Sequence, residues 1–344
     1  MKPTRTHSNG YGGGGADGYD SSSSSSSTTF SECNSDRSGE FSPSRRHLTA
    51  ATTNNLDEFI HQLVSNLHSS SINIQKQAAF NLRLLAKDKQ ENRIKIVEAG
   101  AVKPLISLIS SSDNQLQEHG VTAILNLSLC DENKDMITKS GAIKPLVRAL
   151  RIGTTTAKEN SACALLRLSQ IEENKIVIGR SGAIPLLVNL LRTGNSRGKK
   201  DASTAIYSLC SRTENKIRAV EAGIMKPLLE LMSDFESGMV DKAAVIVKNL
   251  VSVPEGKTGL VEEDGIPVLV EIVEAGSNRQ KEIATAILLE ICEDNSSCCK
   301  MVVREGAIPP LIAIFESGTN RAKQKAESLI TILRRPRSGN DNAE

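Results

Sequence analysis

Two glycine-rich stretches and a scatter of histidines and cysteines are the residues here whose types could do chemistry. Gly13, Gly15 and Gly18 spell G-x-G-x-x-G, a pattern that lets a backbone approach a pyrophosphate at a helix N-terminus. It functions only between a strand and a helix, and its Ser- and Gly-rich surroundings supply neither. Gly256-Lys257-Thr258 looks like the close of a phosphate loop, but the glycine required five residues before Gly256 is Val251. The histidines are His7, His47, His61, His68 and His119, and the chain is read as holding neither an H-E-x-x-H zinc pair nor a nucleophile elbow. His61 and His68 share a helix face without a third ligand nearby. None of the seven cysteines stands in Cys-x-x-Cys spacing, and only Cys298 and Cys299 are close. An odd count suits no closed disulfide framework, so they read as buried thiols of a reducing compartment. No acid–base or nucleophilic set assembles. The chain is expected to be no enzyme, with no cofactor and no metal.

Charge and hydropathy narrow the partners. Lys plus Arg total 42 against 40 for Asp plus Glu, a formal charge of +2. Such a balance argues against a protein built to bind nucleic-acid backbones or anionic membranes. There is no Trp, and three Tyr with six Phe offer few stacking platforms for single strands. No apolar run approaches the roughly 18–20 residues of a membrane span. The opening MKPTRTHSNGYGGGG lacks the apolar core of a secretory signal, so a cytoplasmic or nuclear location is expected.

The elements that would position any site emerge from a repeat. Residues 1–55 hold Leu48 as their one Leu, Ile or Val and an unbroken Ser run, Ser21 to Ser27, so they are expected to be a disordered head. Ser42, before Pro43, and Thr49, after Arg45 and Arg46, are candidate phosphorylation sites there. Residues 336–344 read as a disordered tail. Between them the chain repeats on Gly100, Gly141, Gly182, Gly223, Gly265 and Gly306, at intervals of 41, 41, 41, 42 and 41 residues. Each Gly opens a phrase such as GAVKPL, GAIKPL or GAIPLL, whose proline suits the first turn of a helix. Three helical periodicities recur per copy: a short one before the Gly, a second after the Pro, and a longer third after a turn. No copy could bury its apolar faces alone, so about seven units, the first lacking its short helix, should stack over residues 56–335.

Three helices per 41 residues, the G-A-I-P entry and third helices such as SRGKKDASTAIYSL resemble the armadillo repeat. Glu132-Asn133-Lys134, Glu173-Asn174-Lys175 and Glu214-Asn215-Lys216, with RLLAKDKQENR at 83–93, narrow the likeness to the armadillo region of plant U-box proteins. The resemblance implies an all-α, right-handed superhelical solenoid whose third helices line a concave groove. It also implies that a polar residue on each third helix contacts the backbone of an extended peptide. Superposed copies put Arg83, Asn126, Arg167, Ser208, Asn249 and Glu290 in that column, expected to be open to a partner and to contribute little to folding. Asn and Ser can hydrogen-bond a peptide main chain, and Arg can grip acidic side chains. Arg197, Lys199 and Lys200 form a basic cluster that reads equally as a lure for an acidic partner or as a solvated helix start.

A monomeric, non-catalytic protein-binding scaffold is the expectation, since no Cys-Pro-Ile-like U-box entry precedes the repeats. The alternative is a component of a U-box-type ubiquitin ligase system whose catalytic module lies elsewhere. A nuclear-transport adaptor is a weaker fit, because such grooves pair Trp with Asn.

Overall fold

A computed structural model describes residues 53–293 and 295–335 of the chain. Apart from its last residues, the expected head lies outside these, as do the tail and both candidate phosphorylation sites, Ser42 and Thr49. Among the described residues there are twenty α-helices, one 3-10 turn and no strand. Unit 1 comprises Thr53–Asn66 and Ile72–Asp88. Six three-helix units follow, for example unit 3 with Asp131–Lys139, Ile143–Ile152 and Thr155–Leu168.

The turn between short and second helix is set by one left-handed residue. Gly100, Gly141, Gly182, Gly223 and Gly306 adopt φ between 76° and 85°, where a side chain would be strained. The sixth such position is Asp264, at φ 52°, and not Gly265. The alignment on Gly265 is therefore one residue late: the interval is 41 to Asp264 and 42 from there to Gly306. Asp tolerates this backbone better than most residues because its side chain is short and polar. Gly265 instead opens the helix Gly265–Ala275, at the place of the fully buried Ala101, Ala142, Ala183 and Ala307. A Cβ there would lie 2.8 Å from the Leu260 carbonyl oxygen. Counting five on from each left-handed residue gives Leu105, Leu146, Leu187, Leu228, Leu269 and Leu311, all wholly buried.

Five third helices begin where a side chain accepts from the otherwise unpaired first-turn amides. Asp113, Thr154, Asn195 and Thr319 each cap in this way, and Ser277 forms a reciprocal capping box with Gln280. Unit 5 departs from the pattern. Its chain makes the 3-10 turn Phe235–Ser237 and a left-handed Gly238, and its third helix, Val240–Leu250, has 11 residues against 14 in the three units before it.

Each third helix packs on the next and on the second helix of its own unit. Ile124, Leu165, Ile206, Val247 and Leu288 form one fully buried row through the stack. The Asn of the Glu-Asn-Lys phrase explains itself here. Eight residues before each left-handed residue, Asn92, Asn133, Asn174 and Asn215 reach back to a carbonyl in the last turn of the preceding third helix: Leu85, Leu127, Leu168 and Leu209, at 2.9–3.1 Å. Three of them also bond the preceding short helix, at the Arg93 carbonyl, the Thr138 hydroxyl and the Lys175 carbonyl. These amides satisfy helix-end carbonyls that water would otherwise have to meet. Unit 6 puts Gly256 in this place, with its backbone so close to the Leu250 carbonyl that a Cβ would overlap it. Gly256-Lys257 is thus a helix contact point inside Pro254–Glu262 and not a phosphate loop.

Candidate protein-binding groove

The column sits on successive third helices, near their C-terminal ends. Arg83 lies over the Phe80 ring, 5.3 Å from its centroid, and its Nη1 stands 3.2 Å from His119 Nδ1. Ser208 pairs with the Ser169 hydroxyl at 2.7 Å, and Asn249 Nδ2 donates to the Cys210 carbonyl at 3.0 Å. Glu290 receives Lys257 Nζ, on its carbonyl at 2.8 Å and near its Oε1 at 3.5 Å. Five of the six column residues are half-buried; Asn126 is wholly buried, with Nδ2 donating to the Arg83 carbonyl at 3.0 Å. The expectation of an open column that contributes little to folding fails at Asn126. The register placed the residue, but only the packing of units 1 and 2 reveals that its amide ties one third helix to the next.

Two members differ from the rest. The Nε atoms of Arg83 and Arg167 are buried and meet no acceptor in the protein. Buried donors without partners are rare, and each calls for an explanation. The Arg167 charge also contributes, after Lys134, to holding the Asp131 carboxyl below its ordinary value.

A second row, toward the helix N-termini, was not singled out in the sequence. Glu118 accepts from the Thr154 hydroxyl at 2.9 Å, and Glu282 accepts from Thr319 at 3.1 Å and Lys325 at 3.0 Å. Burial pushes the Glu282 carboxyl up, but Lys325 and Thr319 outweigh it and hold it below its usual range. Arg197 lies between the buried Glu159 at 3.4 Å and Asp201 at 3.5 Å and donates to Asn160 Oδ1 at 2.7 Å. It is therefore engaged by carboxylates of units 3 and 4, so the basic cluster of Arg197, Lys199 and Lys200 does not stand together as a docking patch. Glu118, Glu159 and Glu282 share one register position, in units 2, 3 and 6, and that shared position was the signal available for this row.

Gly194-Asn195-Ser196-Arg197-Gly198 spells G-x-S-x-G, which the sequence reading passed over. The stretch joins two helices and not a strand to a helix, and Asn195 uses its side chain to cap Gly198 N, so no elbow forms. Among the described residues no group of three His, Cys, Asp or Glu side chains is placed to hold a metal ion, and no single helix is long and apolar enough to cross a membrane.

The repeat matches a known pattern. A profile of the plant U-box protein ARM repeat region covers residues 55–341. The chain belongs to this ARM repeat family. Among curated relatives, it is 56% identical over 70 residues to the E3 ubiquitin-protein ligase SPL11 of Oryza sativa subsp. japonica, a match covering 20% of this chain and 10% of that protein. It is 48% identical over 94 residues to U-box domain-containing protein 4 of Arabidopsis thaliana, covering 27% of this chain and 11% of the relative. The matched stretches thus span about a tenth of those relatives' length. Among solved structures, an engineered protein superposes over 84% of this chain and 77% of its own with TM-score 0.70 at 24% identity, a likeness of fold. A designed armadillo repeat protein in complex with the peptide (KR)4 superposes with TM-score 0.59 at 25% identity, covering 67% of this chain and 99% of its own. The ARM solenoid is thus the architecture that carries the column.

Proposed function

We propose that this ARM solenoid is a non-catalytic protein-binding scaffold that takes an extended, acidic peptide segment along the column of its third helices. The observation that carries this reading is the pair of buried Arg83 and Arg167 Nε donors without an acceptor, two units apart on one column. A partner carboxylate would supply the missing acceptor, and such charge-assisted bonds are about twice as strong as neutral ones. Ser208, Asn249 and Glu290 lie further along the same column, each already bonded within the stack. Fluorescence anisotropy with a labelled Glu/Asp-rich peptide tests the reading, with (KR)4 as comparator. Arg167→Glu is expected to weaken the acidic peptide about 10- to 100-fold, the equivalent of a charge-assisted bond of about 1.5–3 kcal/mol, with an unchanged helical circular-dichroism spectrum. Equal affinity of the native chain for both peptides, or no effect of Arg167→Glu, refutes it.

A second reading has its own support, because the curated relatives matched over this segment are U-box proteins, one of them described as an E3 ligase. The chain would then be the substrate-holding part of a ubiquitin ligase system whose U-box is supplied from outside residues 1–344. Ubiquitin transfer by the purified chain with a conjugating enzyme alone would overturn the non-catalytic assignment.

A further inference from the structure

The clamp that joins each short helix to the third helix before it changes chemistry at the last junction. At four junctions a carboxamide makes the bond to a carbonyl in the last turn; at the junction of units 6 and 7 the position eight before Gly306 is Cys298, and the donor is the neighbouring thiol of Cys299, 3.3 Å from the Cys292 carbonyl oxygen. Cys292 closes the helix Asn278–Cys292, and Cys298 and Cys299 lie in the first turn of Ser296–Arg304. Burial first, and then the neighbouring Cys299, push the Cys292 thiol up from its ordinary value. Cys299 is the half-buried member; Cys292 and Cys298 are buried, as are Cys130, Cys163 and Cys210.

We propose that Cys292 and Cys299 are a peroxide-responsive thiol pair that closes into a reversible disulfide, converting a hydrogen-bonded clamp into a covalent one between units 6 and 7. The Cys299 sulfur already stands 3.3 Å from the Cys292 backbone oxygen, and six residues of chain lie between the two, so the partners are held side by side within one helix junction. Hydrogen peroxide is the oxidant. The Cys299 thiolate attacks its O–O bond, forming a sulfenic acid and releasing hydroxide, which is protonated to water. The Cys292 sulfur then attacks the sulfenic sulfur; the S–S bond forms and a second hydroxide leaves as water. Two thiols and one peroxide give one disulfide and two waters, and a thiol reductant reverses the change. Cys292 is buried, and burial with the neighbouring thiols pushes it up from its ordinary value, whereas Cys299 is the half-buried member, which assigns Cys299 as the attacking and Cys292 as the resolving residue. Cys210, which burial pushes up to about 12, has no such neighbour and should stay reduced.

The test is peptide mapping by mass spectrometry on the full-length protein after graded hydrogen peroxide, with remaining thiols alkylated under denaturing conditions. The expected result is a linked Cys292–Cys299 peptide lighter by two hydrogens, restored by dithiothreitol, while Cys130, Cys163 and Cys210 alkylate fully. Cys298→Ser should retain the link and Cys299→Ser should abolish it, with both variants checked for native helical content. In the oxidised protein, amide exchange across Ser296–Arg304 should slow severalfold relative to the reduced form. A link between Cys298 and Cys299, oxidation of Cys299 with Cys292 still alkylated, or modification of Cys210 before Cys299 would each overturn the proposal.

Discussion

Gly179 and Asn215 make a lock that a double-mutant cycle can open. Asn215 is wholly buried; its Nδ2 donates to the Leu209 carbonyl at 3.0 Å and the Lys175 carbonyl at 2.9 Å, and its Oδ1 accepts from Arg218 at 3.1 Å. Gly179 lies inside the helix Glu172–Arg180, and a Cβ there would sit 2.7 Å from Asn215 Cγ and overlap its Oδ1. On propensity alone, Gly179→Ala should stabilise an exposed helix by about 0.8–1.0 kcal/mol. Here the methyl must displace the clamp. Removing that clamp outright, as in Asn215→Ala, forfeits bonds worth about 0.5–1.5 kcal/mol each and leaves buried carbonyls unpaired, about 2–4 kcal/mol in all. Gly179→Ala alone should therefore destabilise by about 1–3 kcal/mol, the usual cost of overpacking. In the Asn215→Ala background the same change should become neutral or stabilising, because the space is vacated. Urea unfolding of the four proteins, followed by circular dichroism, gives the coupling, expected at about 2–3 kcal/mol. If the two costs instead add within about 0.5 kcal/mol, Asn215 is not held against Gly179 and the clamp account is wrong.

Three further outcomes follow from the same geometry. Asp264→Gly should raise the unfolding midpoint, since relief of left-handed strain of about 1–2 kcal/mol outweighs the roughly 0.5–1 kcal/mol that glycine loses in chain entropy; Gly265→Ala, one residue on, should lower it. Asn126→Ala should destabilise by about 1–3 kcal/mol in urea, because it leaves the Arg83 carbonyl unpaired, whereas Arg167→Ala should change peptide affinity more than stability. Lys76 holds the Asp113 carboxyl below its ordinary value of 3.8, as Lys175 does Glu172 and Arg180 does Glu214 below 4.5. Their folded values are depressed, so the stability they contribute is complete above those ordinary values and is lost as pH falls through the lower folded ones; thermal melts should be flat near neutrality and decline only below about pH 4.5.

Fold and unit count were legible because they are written in period and residue type. The 41-residue recurrence, the Pro-bearing second helices and the buried leucines all lie on one register. Position 264 was not legible, because Gly265 is the obvious residue to align and only the backbone dihedral shows that its neighbour makes the turn. The column was found by register, but burial separates the tie made by Asn126 from the unaccepted donors of Arg83 and Arg167. Burial depends on what the adjacent unit places 41 residues away. Arg197 was misjudged for the same reason: in sequence it sits beside Lys199 and Lys200, in space beside Glu159 and Asp201.

The irregular fifth unit bears on how the array yields. Its third helix is a turn short, it begins without a side-chain cap, and the clamp that should fasten the next unit to it is replaced by Gly256. In a one-dimensional stack each junction bears the whole load between its two sides, so stiffness is set by the most compliant one. The solenoid should flex, and under tension part, near residues 235–256, leaving the segments on either side as two stiffer rods. A partner long enough to lie across this joint would fix the angle between the rods, whereas one confined to either side would leave the joint mobile.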